Sequence, residues 1–373
     1  MLIAGYILCV ITFGVLLLVA WNVIAWPSPG SPSMNAAPRV SVLIPARNEA
    51  ASLGACLDSV LGQGTPVAEV LVYDDHSTDD TAAIVTRYQA MDARIRLLEP
   101  HALPSGWCGK NFACARLAAA ARSEWLLFLD ADAVLQSGAV ARMQRETETR
   151  AVTLVSCWPG FVMAGFWEQL LMPMLNFLVF TIFPAPLSLK RWEASLGLAH
   201  GACIFVHRSA YVRVGGHEAV RAEIFEDTRI ARVWRERGER GVCLDGQDVV
   251  QVRMYDSLRG IWRGFRKNFY PAFRHGFTFW LFLGFHAFVF LLPFAALPMM
   301  AAGVPGSGVF AAAALCILAA RALLALRFRH PFWSVLGHPV AQIVLIALGV
   351  ASWWRCTTGR GVDWKGRLYR ARN

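Results

Sequence analysis

Three short apolar runs, at residues 40–44, 70–73 and 125–129, each end in a polar or acidic cluster: Pro45-Ala-Arg-Asn-Glu49, Asp74-Asp75-His-Ser-Thr-Asp-Asp80 and Asp130-Ala-Asp132. Apolar runs of this length read as strands buried on both faces, and such strands belong to parallel sheets. Helix-period segments lie between and after them, at about 50–61, from near Thr78, at 110–121 and at 137–149, with a further strand at 95–98. Strand and helix alternating at this spacing imply βαβ units. The expected fold class is therefore α/β, with a doubly wound, mostly parallel sheet. Ligands of such sheets bind outside the carboxyl ends of the strands, the edge at which the acidic clusters stand.

Both ends of the chain are membrane-like. Residues 2–26 carry no charge, and about 20 apolar residues suffice to cross a bilayer. A cleaved signal peptide is the competing reading, but the basic leading region is missing and the run exceeds the roughly 7–15 residues of a signal core. An N-terminal transmembrane helix, 1–26, and a Pro/Ser/Gly linker, 27–38, are expected. At the other end, 277–300, 309–326 and about 334–354 are apolar. The third contains His338-Pro339, which leaves a re-entrant or interfacial helix open beside a full span. Two or three membrane helices are thus expected within 276–354, followed by a basic tail, 355–373. A chain with 56% apolar and 17% charged residues is not a plain soluble enzyme.

Lys and Arg mark the cytoplasmic side of short loops. The Arg-rich body, together with Arg327 and Arg329, places a catalytic region, 39–275, in the cytoplasm of a multi-pass protein of the cell membrane. The tail, with Arg355, Arg360, Lys365, Arg367, Arg370 and Arg372, opposes this arrangement if all three late segments cross. Residues 161–189 are rich in Met and aromatics but broken by Pro173, Pro184 and Pro186, which reads as a pair of interfacial helices. They either admit a lipid-soluble acceptor or simply cover the sheet.

The net charge of +10 raises the question of nucleic acid. The basic residues cluster at 229–240, 253–274 and in the tail, beside apolar segments, and no nucleic-acid module is recognisable. Membrane lipid headgroups, attracting each basic residue by about 1 kcal/mol near the surface, are the expected partner, and nucleic acid is not. Nine cysteines without paired spacing indicate reduced thiols rather than a zinc site.

The acidic clusters suit a nucleotide carrying a diphosphate and a divalent metal. Asp130 and Asp132, two apart at a strand exit, can place one carboxylate on Mg²⁺ or Mn²⁺, which prefer carboxylate oxygens, and the other on the ribose or on a metal-bound water, or else they form an ordinary surface turn. Asp74 or Asp75 can accept the imide hydrogen of uracil, with Asp79 and Asp80 capping the next helix. Pro45, Arg47 and Glu49 would surround base and ribose, and Lys110, opening a helix, either holds diphosphate or is a solvated lysine. Glu226-Asp227 offers a carboxylate to take the proton of an attacking group, or merely compensates a helix N-terminus. Arg259, Trp262 and Arg263 either clamp pyrophosphate or form an interfacial belt.

The succession PARNE, DDHSTDDT, GWCGK, FLDADA, FEDT and RMY…IWRGFRKN resembles the family 2 glycosyltransferases of the GT-A fold. Among these it is most similar to the membrane enzymes that glycosylate carotenoids, and more distantly to ceramide glucosyltransferases. The resemblance implies an inverting displacement with Asp227 as base, Asp132 as chief metal ligand with Asp130 beside it, and Asp74 or Asp75 as the uracil partner. It implies UDP-glucose as donor and a lipophilic acceptor such as a carotenoid or other isoprenoid lipid. The (Q/R)xxRW signature of ceramide glucosyltransferases is not met as written; Arg259-Gly-Ile-Trp262-Arg263 is the nearest approach. His200 falls where relatives carry a small-residue segment under the acceptor, as a sugar contact or as a structural histidine. A polysaccharide synthase and an inactive nucleotide-binding scaffold are the alternatives: the first needs a channel that at most four spans can hardly build, and the second would be expected to have lost an acidic motif.

Overall fold

The apolar runs become the parallel half of an eight-stranded sheet: Val40–Ala46 (β1), Val67–Asp74 (β2), Ile95–Leu98 (β3) and Trp125–Leu129 (β4). The computed structural model describes residues 2–31, 39–273, 275–358, 362–364 and 367–369. Ala133–Leu135 (β5), Leu154–Phe161 (β6), Cys203–His207 (β7) and Gly241–Val252 (β8) complete the sheet in the order β3-β2-β1-β4-β7-β6-β8-β5. β7 runs antiparallel to β4 and β6, and β5 runs antiparallel to β8; the other pairings are parallel. This mixed, mostly parallel sheet is the expected α/β class and is typical of the GT-A fold.

Why the strands read as unbroken apolar runs is visible in the packing. Val42 and Ile44 point to one face, under Leu53, Cys56, Leu57 and Val60 of the helix Leu53–Leu61. Leu43 points to the other, with Leu71 and Phe128, against Ala113, Cys114 and Leu117 of the helix Gly109–Ala120. Side chains alternate across a strand, so a strand covered on both faces must be apolar at every position. All nine cysteines are free thiols.

The chain divides into two compact units, an α/β unit of Pro27–Val162 and Leu187–Met254 and a helical unit of Met1–Trp26, Met163–Pro186 and Tyr255–Asn373. The sequence alone suggested one catalytic region over 39–275; in the structure 163–186 and 255–275 go with the helices. Of the anticipated linker, residues 32–38 lie outside the described residues. Its first part is fixed to the α/β unit: Arg142 donates to the carbonyls of Pro29 (2.6 Å) and Gly30 (3.0 Å), and Asp245 N–H donates to Pro27 O (3.1 Å).

In the helical unit three helices are long and apolar enough to cross a membrane, Leu2–Ala25, Gly308–Arg327 and His338–Thr357. Gly276–Phe290 and Leu292–Ala301 make a fourth if their 40° bend is one broken span. The break falls where Pro293 and Pro298 remove backbone donors. His338-Pro339, by contrast, starts its helix rather than interrupting it, a place where proline costs nothing. The helices Phe166–Leu171 and Pro173–Phe180 bury Leu170, Leu171, Phe177 and Phe180 within this unit. Polar residues tie it together: Asn22 donates to the carbonyls of Phe180 (2.9 Å) and Phe183 (2.8 Å), and the buried Arg321 donates to those of Pro173 and Ser334 (both 3.1 Å). Ile3, Val10, Ile24, Phe288, Leu315 and Leu336 face outward, as apolar side chains do when the surroundings are lipid. Of the anticipated basic tail, residues 359–361, 365–366 and 370–373 lie outside the described residues.

The helix Thr81–Met91 has Asp80 at its N-cap position without a capping bond, whereas the Asp79 carboxylate accepts from Thr81 N–H and Ala50 N–H, both at 3.1 Å. Capping by both aspartates, expected above, therefore reduces to Asp79. Asp79→Ala is expected to cost about 1 kcal/mol in thermal unfolding, the usual worth of a cap, and Asp80→Ala less than about 0.5.

Candidate active site

β1 lies between β2 on one side and β4 on the other, so chain connections leave it in opposite directions and a crevice opens at their carboxyl ends. Beyond β1, Asn48 has φ of 52°, which no right-handed helix accommodates; residues 47–52 form a turn, and the helix expected from about residue 50 starts at Leu53. This turn is laced to the exit of β2. Arg47 donates to Asp75 O, Asn48 N–H donates to Ser77 Oγ (2.9 Å), Thr78 N–H donates to Asn48 Oδ1 (2.8 Å), and Glu49 N–H donates to Thr81 Oγ1 (2.9 Å). The Asp74 carboxylate accepts from Ser77 N–H (3.2 Å) and from its hydroxyl, so it is occupied in holding the turn. Asp75 is buried at 4% exposure. Pro45, inside β1, is registered with Tyr73.

Asp130 follows β4. Its N–H donates to Ala202 O (3.1 Å), and its carboxylate meets the Lys110 ammonium at 2.7 Å. The same ammonium lies 2.9 Å from Glu226 Oε1. Lys110 is placed by its helix, whose Cys108 N–H donates to Arg221 O (2.7 Å) and whose Asn111 amide donates to the carbonyls of Val220 (2.8 Å), Arg221 (3.3 Å) and Glu223 (2.9 Å). Those bonds fasten the segment that leads into the Glu226 helix, Glu226–Glu236. Asp227 accepts from Gly201 N–H (2.9 Å) and from Thr228 N–H (2.6 Å). A Cβ at Gly201 would lie 3.0 Å from the Lys110 ammonium and 3.5 Å from the Asp227 carboxylate, so this glycine leaves room for both.

Charge separates the two neighbouring carboxyls. Burial and then the Glu226 charge push Asp227 up to about 7, although the Gly201 and Thr228 amides and Lys110 pull the other way. Burial also works against ionised Glu226, but Lys110 outweighs it and the net shift is downward. Burial opposes the Lys110 ammonium, and Asp130 and Glu226 more than restore it, holding it well above the usual lysine value. The Cys56 thiol is raised by burial and then by Asp132, Asp130 and Glu49, which puts those three carboxylates within electrostatic reach of one point. His200 is a brace: Ser156 Oγ donates to its carbonyl (3.3 Å), its ring accepts from Ala202 N–H (3.2 Å) and packs edge-on to Trp158 at 5.1 Å. Burial and Lys110 push its ring down to about 3, so it is neutral.

The structure thus joins Lys110, Asp130, Glu226 and Asp227 into one cluster, while Glu49 and Asp132 follow the ends of β1 and β4. Lys110, expected to be either a diphosphate ligand or solvated, is paired with two carboxylates, Asp130 and Glu226. Arg259, Trp262 and Arg263 lie on the helix Leu258–Asn268 of the helical unit, outside the α/β unit that carries the carboxylates. Asn111, Ser156 and Gly201 were not anticipated; a buried Asn in an otherwise Ala-rich helix was the one available sign. Among the described residues no three His, Cys, Asp or Glu side chains form a ready metal cage. Two aspartates at a strand end nevertheless fit the way Mg²⁺ is commonly held, by one or two carboxylates with substrate phosphates and water completing the shell.

Residues 41–215 match the family described as Glycosyl transferase family 2. The chain is 30% identical over 222 residues to the 4,4'-diaponeurosporenoate glycosyltransferase of Staphylococcus haemolyticus (strain JCSC1435), covering 58% of this chain and 57% of that protein. It is 25% identical over 237 residues to the protein of that name from Staphylococcus aureus (strain MRSA252), covering 61% and 60%. The chain thus matches about three fifths of the length of these relatives. In fold it is similar to the mannosyltransferase PcManGT from Pyrobaculum calidifontis in complex with GDP-Man and Mn²⁺, with a TM-score of 0.56, 23% identity, and 94% of this chain and 98% of that one covered.

Asn111→Leu would remove the side-chain donor that reaches the carbonyls of Val220, Arg221 and Glu223; Val220 O keeps Glu223 N–H and Arg221 O keeps Cys108 N–H. Thermal unfolding in detergent should show a loss of about 1–3 kcal/mol, the cost of losing the hydrogen bonds of a buried amide, together with a loss of turnover as the segment before Glu226 loosens.

Proposed function

With residues 41–215 a glycosyl transferase family 2 domain, we propose that the chain is an inverting glycosyltransferase. It moves a hexose, glucose in our reading, from a UDP-sugar to a hydrophobic membrane acceptor such as a carotenoid or other isoprenoid lipid. The observation that carries this reading is Asp227, whose carboxyl is held near neutrality at the strand edge, beside the Lys110–Glu226–Asp130 cluster. A base that works at neutral pH needs such a value and must reach the proton it removes. The acceptor O–H gives its proton to Asp227, the acceptor oxygen bonds to the anomeric carbon, and the bond from that carbon to the diphosphate breaks with inversion. Asp132 and Asp130 would hold a divalent ion, which when bound supplies neutralisation of the charge growing on the departing diphosphate. Pro45, Arg47, Glu49 and Asp75 are assigned to the uridine.

The apolar helices and the diaponeurosporenoate enzymes among the relatives support a lipophilic acceptor. The placement of Lys and Arg supports an α/β unit on the cytoplasmic side of the cell membrane.

Membranes containing the protein, given labelled UDP-hexoses, are expected to produce a solvent-extractable glycolipid; a water-soluble polymeric product would overturn the lipid acceptor. Asp227→Asn should abolish this transfer while UDP affinity changes by less than about twofold, since a base acts in the transition state and not in donor binding. For the wild type kcat/KM should rise with pH through about 7 as Asp227 ionises. The folded protein holds that proton more tightly than the unfolded chain. Its stabilising contribution is therefore complete below the ordinary carboxylate range and lost as pH rises through about 7. Asp227→Asn should accordingly gain in melting temperature over the wild type above neutrality, a gap that closes toward acid. Asp132→Ala should weaken Mn²⁺-dependent UDP binding in calorimetry, and undiminished dependence would assign the ion to other residues.

A further inference from the structure

The Lys110 ammonium occupies the place where a second cation would be needed. It touches Asp130 at 2.7 Å and Glu226 at 2.9 Å, and Asp130 is one of the two carboxylates assigned above to a divalent ion. Its position is not that of a loose surface lysine. The bonds from Cys108 and Asn111 to residues 220–223 fix the start of its helix against the chain entering Glu226, and Gly201 is bare where a side chain would press on the ammonium. An ammonium and a divalent ion bound to the same carboxylate repel each other. That repulsion is stronger in a crevice less polar than water.

We propose that Lys110 is a resident counter-cation that blocks free divalent metal from Asp130, and that it gives up this carboxylate only when a nucleotide diphosphate brings in phosphate oxygens with which the ammonium can pair instead. The exchange is one of ion pairs. No covalent bond changes and no proton moves: the ammonium leaves Asp130 for phosphate, and the Asp130 carboxylate turns to the metal. Two features of the site fit this. There is no ready cage of three or more ligating side chains among the described residues, so a metal without phosphates would find few ligands. And Glu226 keeps its own contact with Lys110, which gives the ammonium a pivot as Asp130 is released. The consequence is an order of binding: metal enters with the nucleotide and not before it. This inference rests on the reading of Asp130 and Asp132 as the metal carboxylates.

The test uses the full-length protein in detergent, with free Mn²⁺ followed by its electron paramagnetic resonance signal, with and without UDP. The wild type should bind Mn²⁺ weakly alone and at least about tenfold more tightly with UDP. Lys110→Met should raise the affinity for Mn²⁺ without UDP by about tenfold, as expected from removing a unit charge in contact with the ligand, and should largely erase the dependence on UDP. The gain should persist at high salt, because screening removes a distant field but not a direct exchange of partners. Lys110→Arg, which keeps the bridge, should leave the nucleotide-free affinity at the wild-type level. Unchanged Mn²⁺ affinity in Lys110→Met, a gain that salt abolishes, or a gain in Lys110→Arg would each overturn the proposal while leaving the donor site standing. Absence of Mn²⁺ binding even with UDP in the wild type would overturn both this inference and the metal reading beneath it.

Discussion

Carboxylates crowded into one crevice repel each other, and the α/β unit is arranged around the compensation of that repulsion. Asp130 and Glu226 come from parts of the chain nearly a hundred residues apart, and the Lys110 ammonium stands between them. An ion pair half-open to water contributes little to stability by itself. Its importance is positional: without a cation between them, the carboxyl end of β4 and the start of the Glu226 helix would present like charges to each other. The hydrogen bonds of Asn111 and the bare Gly201 make sense as supports for that one contact.

The strands β1 to β4 were legible because each is covered on both faces and therefore apolar at every residue, and their exits were legible because polarity returns there abruptly. β6 and β8 were not. β6 carries Trp158-Pro159-Gly160, and its register with β8 shifts between Pro159 and Gly160. β8 contains the buried Asp245 and Gln247, which satisfy each other, the Gln247 amide donating to Asp245 Oδ1 at 3.0 Å. A strand whose buried polar groups are paired by local hydrogen bonds loses the apolar signature by which strands are recognised. The same holds in reverse for residues 277–300, which read as one apolar span although Pro293 and Pro298 break it.

The site divides along similar lines. Asp130, Asp132, Glu226 and Asp227 could be picked out because carboxylates at strand exits and helix starts are few and chemically conspicuous. Lys110 could be found but not assigned: nothing near it in sequence says that its partners lie at 130 and 226. Asn111, Ser156 and Gly201 act on backbone groups remote in the chain, Asn111 on carbonyls 109 to 112 residues away, and such roles leave no mark in the local pattern. Gly197 is a further case. A Cβ there would stand 2.8 Å from the Arg232 amide nitrogen, so the irregular segment leading to Gly201 can lie against the Glu226 helix only if residue 197 is glycine.

Glu226 and Asp227 are adjacent, equally acidic in water, and both at the first turn of one helix, yet the fold gives them different charges. Glu226 faces Lys110 and remains ionised; Asp227 is turned toward the Gly201 amide, and burial, with the fixed negative charge of Glu226 beside it, raises its carboxyl to about 7. Two carboxyls whose surroundings push their proton affinities apart can take separate parts in a reaction. Glu226, neutralised by an ammonium, has little basicity to offer, and Asp227 has gained what its neighbour lost. Lys110 acts on both at once: it keeps Glu226 charged, and that negative charge adds to the burial that raises Asp227, against the smaller direct pull of the ammonium itself.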